Sequence, residues 1–301
     1  MKFLFTIFHL FIFSPILMAQ KDTSLQHLKQ RISDLLAEQK GKFAVAFKDV
    51  SSGKSLLINE KEVFHAASTM KTPVMIEVYR QAKAKKFSMK DSIPIENEFK
   101  SIVDGSKFSL DSADDSEFEL YKHLGEKRTV HDLVYEMIIA SSNLATNIVI
   151  EKVGAEHVTQ TMRKFGAKDI QVLRGVEDQK AYDKALNNTT TAYDLMLIFE
   201  KIAKGKAVDK KSSQAMINIL LDQKFNTIIP AKLPKDVKVA HKTGFITALH
   251  HDSGIVLLPD GRKYVLVLLS KNLEDEKKAI EAMATASEMI YQYVISSNAK
   301  N

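Results

Sequence analysis

Behind Thr23-Ser24, the apolar residues Leu25, Leu28, Ile32, Leu35 and Leu36 recur at helical spacing, so residues 24–40 are predicted as an amphipathic helix closed by Gly41. Residues 43–50 are rich in aromatic and branched side chains, Ser51-Ser52-Gly53 is turn chemistry, and residues 55–59 pair back as a hairpin. The C-terminal end mirrors this, with predicted strands at 237–243, 253–258 and 263–270, a tight turn at Pro259-Asp260-Gly261 and a closing helix at 274–296. Between these flanks the apolar period is helical, over residues 67–85, 130–140, 143–153, 155–165, 191–203 and 210–221. Strands at both ends and helices between them imply that the ends meet in one sheet. The expected fold class is therefore α/β (α+β), an antiparallel sheet flanked by terminal helices plus an inserted all-α subdomain. A single domain over 20–301 is expected, with a sheet lobe (20–65 and 225–301), a helical lobe (66–224) and a ligand cleft between them. Residues 88–128, polar and acid-rich around 111–119, are expected to form a long irregular connection.

The first 19 residues stand apart from this pattern: after Lys2 the run is almost wholly apolar, broken by Ser14-Pro15 and followed by Ala19 and the polar Gln20-Lys21-Asp22. This reads as a secretory signal peptide over 1–19, the alternative being an N-terminal anchor, although Leu17 is a poor match to the small residue favoured there. The expected location is outside the cytoplasm, periplasmic or extracellular, with no stable membrane insertion after signal removal. Composition narrows the chemistry. The 301 residues contain no Cys, which excludes a disulfide scaffold, a thiolate nucleophile and a Cys-based zinc site. The net charge of +6 comes from basic stretches interspersed with acidic residues, which argues for a mixed solvated surface and against a nucleic-acid partner. A monomer is expected.

Three short motifs could carry chemistry. Ser68-Thr69-Met70-Lys71 enters a predicted helix, where a spacing of three puts hydroxyl and amine on one face, so that the amine can take the hydroxyl proton. The helix N-terminus favours a developing oxyanion, and Pro73 suits a position near a helix start. Ser51 to Lys54 and Ser297 to Lys300 share the spacing, so the motif alone is weak, and at those two places a capping Ser with a solvated Lys is the better reading. Ser141-Ser142-Asn143 falls at the break between two helices, where it either caps a helix or presents a hydroxyl and a carboxamide to a cleft. Lys242-Thr243-Gly244 closes a strand, with Gly allowing close backbone approach and Lys available to a carboxylate.

Together, in this order, the three motifs resemble those of the penicillin-recognising serine hydrolases, and most closely the class A β-lactamase family. The resemblance covers nearly the whole chain after the leader and includes Asn188-Thr189-Thr190-Thr191 before a helix. It implies Ser68 as nucleophile, Lys71 as its proton acceptor, the backbone N–H groups of Ser68 and Phe245 as oxyanion hole, and Ser141 as proton donor to the leaving nitrogen. It further implies Asn143 as binder of the substrate amide and Lys242 with Thr243 as receiver of the substrate carboxylate, with Gly244 and Phe245 completing the substrate-binding strand edge. No cofactor or metal is implied. The implied function is opening of the β-lactam amide through a Ser68 acyl-enzyme. The alternative is a D-alanyl-D-alanine peptidase or penicillin-binding sensor of the same fold, acting on a cell-wall peptide with slow or no deacylation.

One stretch departs from the family pattern. Class A enzymes activate the deacylating water with a Glu in a Glu-x-x-Leu-Asn loop, whereas here the loop reads Arg174-Gly175-Val176-Glu177-Asp178-Gln179 and continues to Asp183-Lys184-Ala185-Leu186-Asn187. Glu177 is the expected base, next to Asp178, while Asp183 has the Leu-Asn spacing but a shorter side chain. Asn188 stands where the family has the Asp partner of Arg174. His241, His250 and His251 invite a metal reading, but adjacent strand residues face opposite sides, so His250-His251 are expected to line the cleft or cap the turn.

Overall fold

The computed structural model describes residues 16–296. The first helix, α1 (Ile16–Ala37), is followed by strands β1 (Lys42–Asp49), β2 (Ser55–Ile58) and β3 (Phe64–His65). A 3-10 turn (Ala67–Met70) leads into α2 (Lys71–Lys83), then β4 (Ser92–Pro94), β5 (Phe99–Lys100), β6 (Lys107–Phe108), a second 3-10 turn (Glu119–His123) and β7 (Lys127–Thr129). Helices α3 (Val130–Ile139), α4 (Asn143–Val153), α5 (Ala155–Lys164) and α6 (Gln179–Asp183) come next, then β8 (Thr189–Thr190), α7 (Ala192–Ala203) and α8 (Lys210–Leu221). Strands β9 (Lys238–Ile246), β10 (Leu249–Leu257) and β11 (Lys263–Lys271) and helix α9 (Glu276–Ser296) close the fold.

The two ends of the chain meet in a five-stranded antiparallel sheet of order β2-β1-β11-β10-β9, as the pattern predicts. Its central strands are buried on both faces, which is why β1 shows no clean alternation. Ala44 and Ala46 face the helical side, while Phe43, Val45 and Phe47 face the terminal helices. In β11, Val265, Val267 and Leu269 take the first side and Tyr264, Leu266 and Leu268 the second. Helices α1 and α9 cover the second face through Leu28, Ile32 and Leu36 and through Met283, Ala286 and Ile290. On the first face α7 packs against the sheet, and α2, α3, α4 and α8 complete a core continuous with it.

Several expectations need adjustment. Helix α1 starts at Ile16 and ends at Ala37, earlier than the periodicity indicates, because positions 38–40 turn away before Gly41 at φ 152°. Residues 1–15 of the predicted leader lie outside the described residues. Strand β9 continues past Thr243 to Ile246, and β10 begins at Leu249, because Leu249↔Ile246 and His250↔Phe245 still pair. The 88–128 stretch is not irregular throughout: β4 pairs with β7 and β5 with β6, and these ladders fold it back on itself. Such two- and three-residue ladders carry no readable period. Among the described residues no helix is long and apolar enough to cross a membrane.

Tyr264 is fully buried against Phe47, ring centroids 5.6 Å apart, and its hydroxyl has no hydrogen-bond partner among the described residues. A buried hydroxyl without a partner carries a desolvation cost of about 1–3 kcal/mol. Tyr264→Phe keeps the ring and removes that cost, so the variant is expected to melt higher than the parent in a denaturant titration, by about 1 kcal/mol. A loss of stability would reveal a partner for the hydroxyl.

Candidate active site

The nucleophile candidate sits on a tightly shaped corner. Strand β3 pairs with β8 through Phe64↔Thr190 and His65↔Thr189, and the chain then turns through Ala67 at φ 43° into the 3-10 turn that carries Ser68. His65 Nδ1 accepts from Ala67 N (3.1 Å), and His251 Nε2 lies 2.9 Å from His65 O, so its N–H braces the corner from behind. Burial pushes His251 down to about 4, which keeps its imidazole neutral. His251 therefore neither lines the cleft nor caps the hairpin turn. His250 does reach the cleft edge, stacking on Phe245 at 5.9 Å, while His241 is buried against Asp252 (2.8 Å) and Asn226 (3.1 Å).

Lys71 begins α2 with its backbone N–H on Ser68 O, one 3-10 turn along, where side chains at this spacing eclipse. Pro73 falls in the first turn of α2, where its missing N–H costs no helix bond. The Lys71 ammonium is fully buried and donates to three acceptors: Ser141 O (2.7 Å), Asn143 Oδ1 (2.9 Å) and Ser141 Oγ (3.2 Å). Ser68 Oγ makes no hydrogen bond among the described residues. Burial pushes Lys71 down to about 7, against the pull of Asp115 and Glu177. Near neutrality the amine can therefore lose one proton and offer a lone pair.

The α3–α4 break gives its two neighbouring serines different partners. Ser142 is the N-cap of α4, its Oγ accepting from Ala145 N (3.2 Å). Ser141 takes φ 59° and turns its Oγ to accept from both Lys71 (3.2 Å) and Lys242 (3.1 Å), which leaves its own hydrogen free. Asn143, the first residue of α4, holds Lys71 through Oδ1 and donates from Nδ2 to Glu177 Oε1 (2.5 Å). Lys242 is fully buried, bonded also to Thr243 O (3.0 Å), and held well below the usual lysine range by burial and by the Lys71 charge. Gly244 presses its backbone on the nucleophile turn: a Cβ there would stand 3.1 Å from both Ser68 N and Thr69 N. Phe245, next along β9, is 66% exposed at the cleft rim.

The loop bearing Glu177 is pinned at several points. Asn147, one helical turn after Asn143, exchanges two hydrogen bonds with the Val176 backbone (3.0 and 2.7 Å). Asn188 takes Leu173 N (2.8 Å) and Arg174 N (3.2 Å) and returns a bond to Arg174 O (2.9 Å), so its amide bridges the backbone at the start of the loop. Asp178 is buried, caps α6 at Ala181 N and takes Ser101 Oγ and Ile102 N, both at 2.9 Å. Glu177, at φ 60°, opens to the cleft, yet burial and the charges of Asp115 and Asp114 raise its carboxyl above the usual range despite the Asn143 bond. Asp183 is exposed and bonded to Gln179 (2.7 Å), outside this cluster. The sequence reading misses Asn147, His65 and Asp115 and misplaces His251. Only Asn147 left a signal, its i, i+4 spacing from Asn143 on a buried helix.

The chain matches the Beta-lactamase enzyme family over residues 27–294 and belongs to it. The extended-spectrum β-lactamase PER-1 of Pseudomonas aeruginosa is 24% identical over 287 residues, 90% of this chain and 89% of that protein. Among solved structures, a β-lactamase from Sphaerobacter thermophilus is 25% identical, with a TM-score of 0.74 over 87% of this chain and 95% of that one. PBP-A is 26% identical, with a TM-score of 0.76 over 90% of this chain and 96% of that one, and a mutant of it was solved as an acyl-enzyme complex with penicillin G. With the Ser-Lys, Ser-Ser-Asn and Lys-Thr-Gly motifs in place, the chain is a serine hydrolase of the class A β-lactamase type.

Gly175 is required by the loop's anchor, since a Cβ at this position would lie 2.2 Å from Asn147 Oδ1. Gly175→Ala is expected to push the amide off Val176, lower stability by about 1–3 kcal/mol and raise hydrogen exchange at the Val176 amide. An unchanged exchange rate there would mean that the loop is held by its other contacts alone.

Proposed function

We propose that the enzyme opens β-lactams by acyl transfer to Ser68 and hydrolyses the acyl-enzyme with a water activated by Glu177. The observation that carries this reading is the single chain of contacts from Lys242 through Ser141 to Lys71, and from Lys71 through Asn143 to Glu177. Acyl transfer needs a nucleophile, a base, an oxyanion site and an acid for the leaving nitrogen. Ser68 Oγ attacks the lactam carbonyl as its proton passes to neutral Lys71, and the oxyanion forms against the N–H groups of Ser68 and Phe245. The carbon–nitrogen bond then breaks, with Ser141 delivering its free hydrogen to the nitrogen and regaining a proton from a neighbouring lysine. Lys242 and Thr243 receive the substrate carboxylate, and Asn143 Nδ2 binds the side-chain amide. In the second half-reaction Glu177 takes a proton from the water as its oxygen bonds to the acyl carbon, and that proton returns to Ser68 Oγ as the Oγ–acyl bond breaks, so Ser68 leaves as the hydroxyl and Glu177 is again a carboxylate.

The apolar leader over 1–19 supports export, so the mature enzyme is placed in the periplasm or outside the cell, as one catalytic domain over 20–301 acting as a monomer and conferring resistance to its substrates. Purified mature protein mixed with a chromogenic cephalosporin and a fluorescent penicillin tests the reading. Rapid colour change is expected. A stable fluorescent band without turnover would replace it with the peptidase or sensor, and neither signal would remove β-lactams as substrates.

The base assignment predicts that Glu177→Gln acylates at near the parent rate but stalls, so that intact-mass measurement finds protein plus one drug. A stall in Asp183→Asn, with Glu177→Gln turning over normally, would move the base to Asp183. Ser68→Ala should abolish the adduct in either background.

Acylation should also report Lys71. A base must be neutral, so the acylation rate measured by stopped flow is expected to rise with pH through about 7, following loss of the Lys71 proton. A rate that is flat across the neutral range would assign the base elsewhere.

A further inference from the structure

Asp115 lies in the polar loop before α3, contributes nothing to the acyl-transfer steps above, and is nonetheless 8% exposed with five hydrogen bonds. Its carboxylate accepts from Asn143 N at both oxygens (3.0 and 2.8 Å), from Leu144 N (3.0 Å), from Tyr121 O–H (3.0 Å) and from Glu117 N (3.1 Å). Asn143 and Leu144 open α4, and the first N–H groups of a helix have no partner within it. Ser142 Oγ serves only Ala145 N, so the start of α4 is capped by two side chains from different segments, the second of them charged. The residue whose backbone is held this way is the one whose side chain spans Lys71 and Glu177.

We propose that Asp115 is a positioning residue for acylation: its carboxylate fixes the backbone of Asn143, and thereby the carboxamide that holds Lys71 against Ser141 and spaces it from Glu177. The proposal rests on Lys71 and Asn143 acting as described above. An exposed surface loop is thus tied into the reaction centre by one buried charge. The same charge acts on Lys71 through space. The charged groups that face the amine are Asp115 from this loop, Glu177 from the loop after Arg174 and Lys242 from β9, and of these Asp115 is the foremost in favouring the ammonium. Removing its charge makes Lys71 easier to deprotonate, which moves the acid limb of acylation to lower pH, while the loosened Asn143 lowers the plateau. A residue that only stabilised the fold would leave the limb where it is.

The test is the pH profile of acylation in the full mature protein, parent beside Asp115→Asn, with a thermal melt of each. The expected result is a folded variant whose plateau falls roughly ten- to a hundred-fold, the worth of charge-assisted hydrogen bonds to the helix start, with its acid limb displaced downward. A folded variant with the parent plateau and limb overturns the proposal, and so does a plateau that falls with the limb unmoved. If Asp115→Asn does not fold, the double variant Asp115→Asn/Ser142→Asp is measured in its place. Asp is a favoured N-cap and returns a carboxylate to the first turn of α4, at Leu144 N and Ala145 N, so acylation within about tenfold of the parent is expected. A folded double variant that remains more than tenfold slow overturns the proposal. A parent that neither turns over nor is labelled by penicillin overturns the functional reading itself, which separates the two failures.

Discussion

Two lysine amines, Lys71 from the helical side and Lys242 from the sheet, are buried on one serine hydroxyl, and protein groups must take the place of water around both. An unpaired buried cation is prohibitively costly in a medium of low dielectric constant. Neither lysine has a carboxylate within ion-pair distance among the described residues. Lys71 is satisfied by two neutral oxygens of Ser141 and one of Asn143, with Asp115 and Glu177 acting from further away. Solvation by neutral dipoles keeps the amine in place without holding its proton tightly. A direct carboxylate partner would raise its pKa and remove it as a base near neutrality.

Holding this arrangement requires backbone that ordinary residues avoid. Ala67, Ser141 and Glu177 all have positive φ, at 43°, 59° and 60°, and they flank or bear the Ser68 hydroxyl, the Ser141 hydroxyl and the loop carboxylate. Left-handed backbone at a non-glycine residue costs of order 1–3 kcal/mol and persists where the surroundings over-determine it. Those surroundings are visible in each case: His65 and His251 brace the corner at Ala67, the Ser142 cap and Asp115 seize the start of α4 behind Ser141, and Asn147 grips Val176 beside Glu177. Glu177 is thereby presented to Asn143 by a loop held through neutral amide and carbonyl groups around Arg174. Asn188 bridges the backbone of Arg174, and the guanidinium bonds to Gly175 O, Leu186 O and the Asn187 amide.

The class of fold and most of its elements are legible in the sequence because they depend on local periodicity. Helices α3, α4, α5, α7 and α8 and the meeting of the chain ends in one sheet follow from apolar spacing alone. The identity of Ser68, Lys71, Ser141 and Lys242 as a set follows from three motifs in a fixed order. Their contacts do not. Sequence places the Ser68 hydroxyl and the Lys71 amine on one helical face, whereas the folded chain gives the Lys71 hydrogen bonds to Ser141 and Asn143, 70 and 72 positions away. Ser141 and Ser142 are chemically identical neighbours, and only the left-handed backbone at the first decides which is the cap and which faces the lysines. Asp115 and His251 read as a surface acid and a hairpin histidine, and both are buried. Sequence records which groups are available and the local periods that fold them. The dielectric surroundings, the long-range partners and the backbone conformations that assign those groups their work exist only once helical side and sheet have closed on one another.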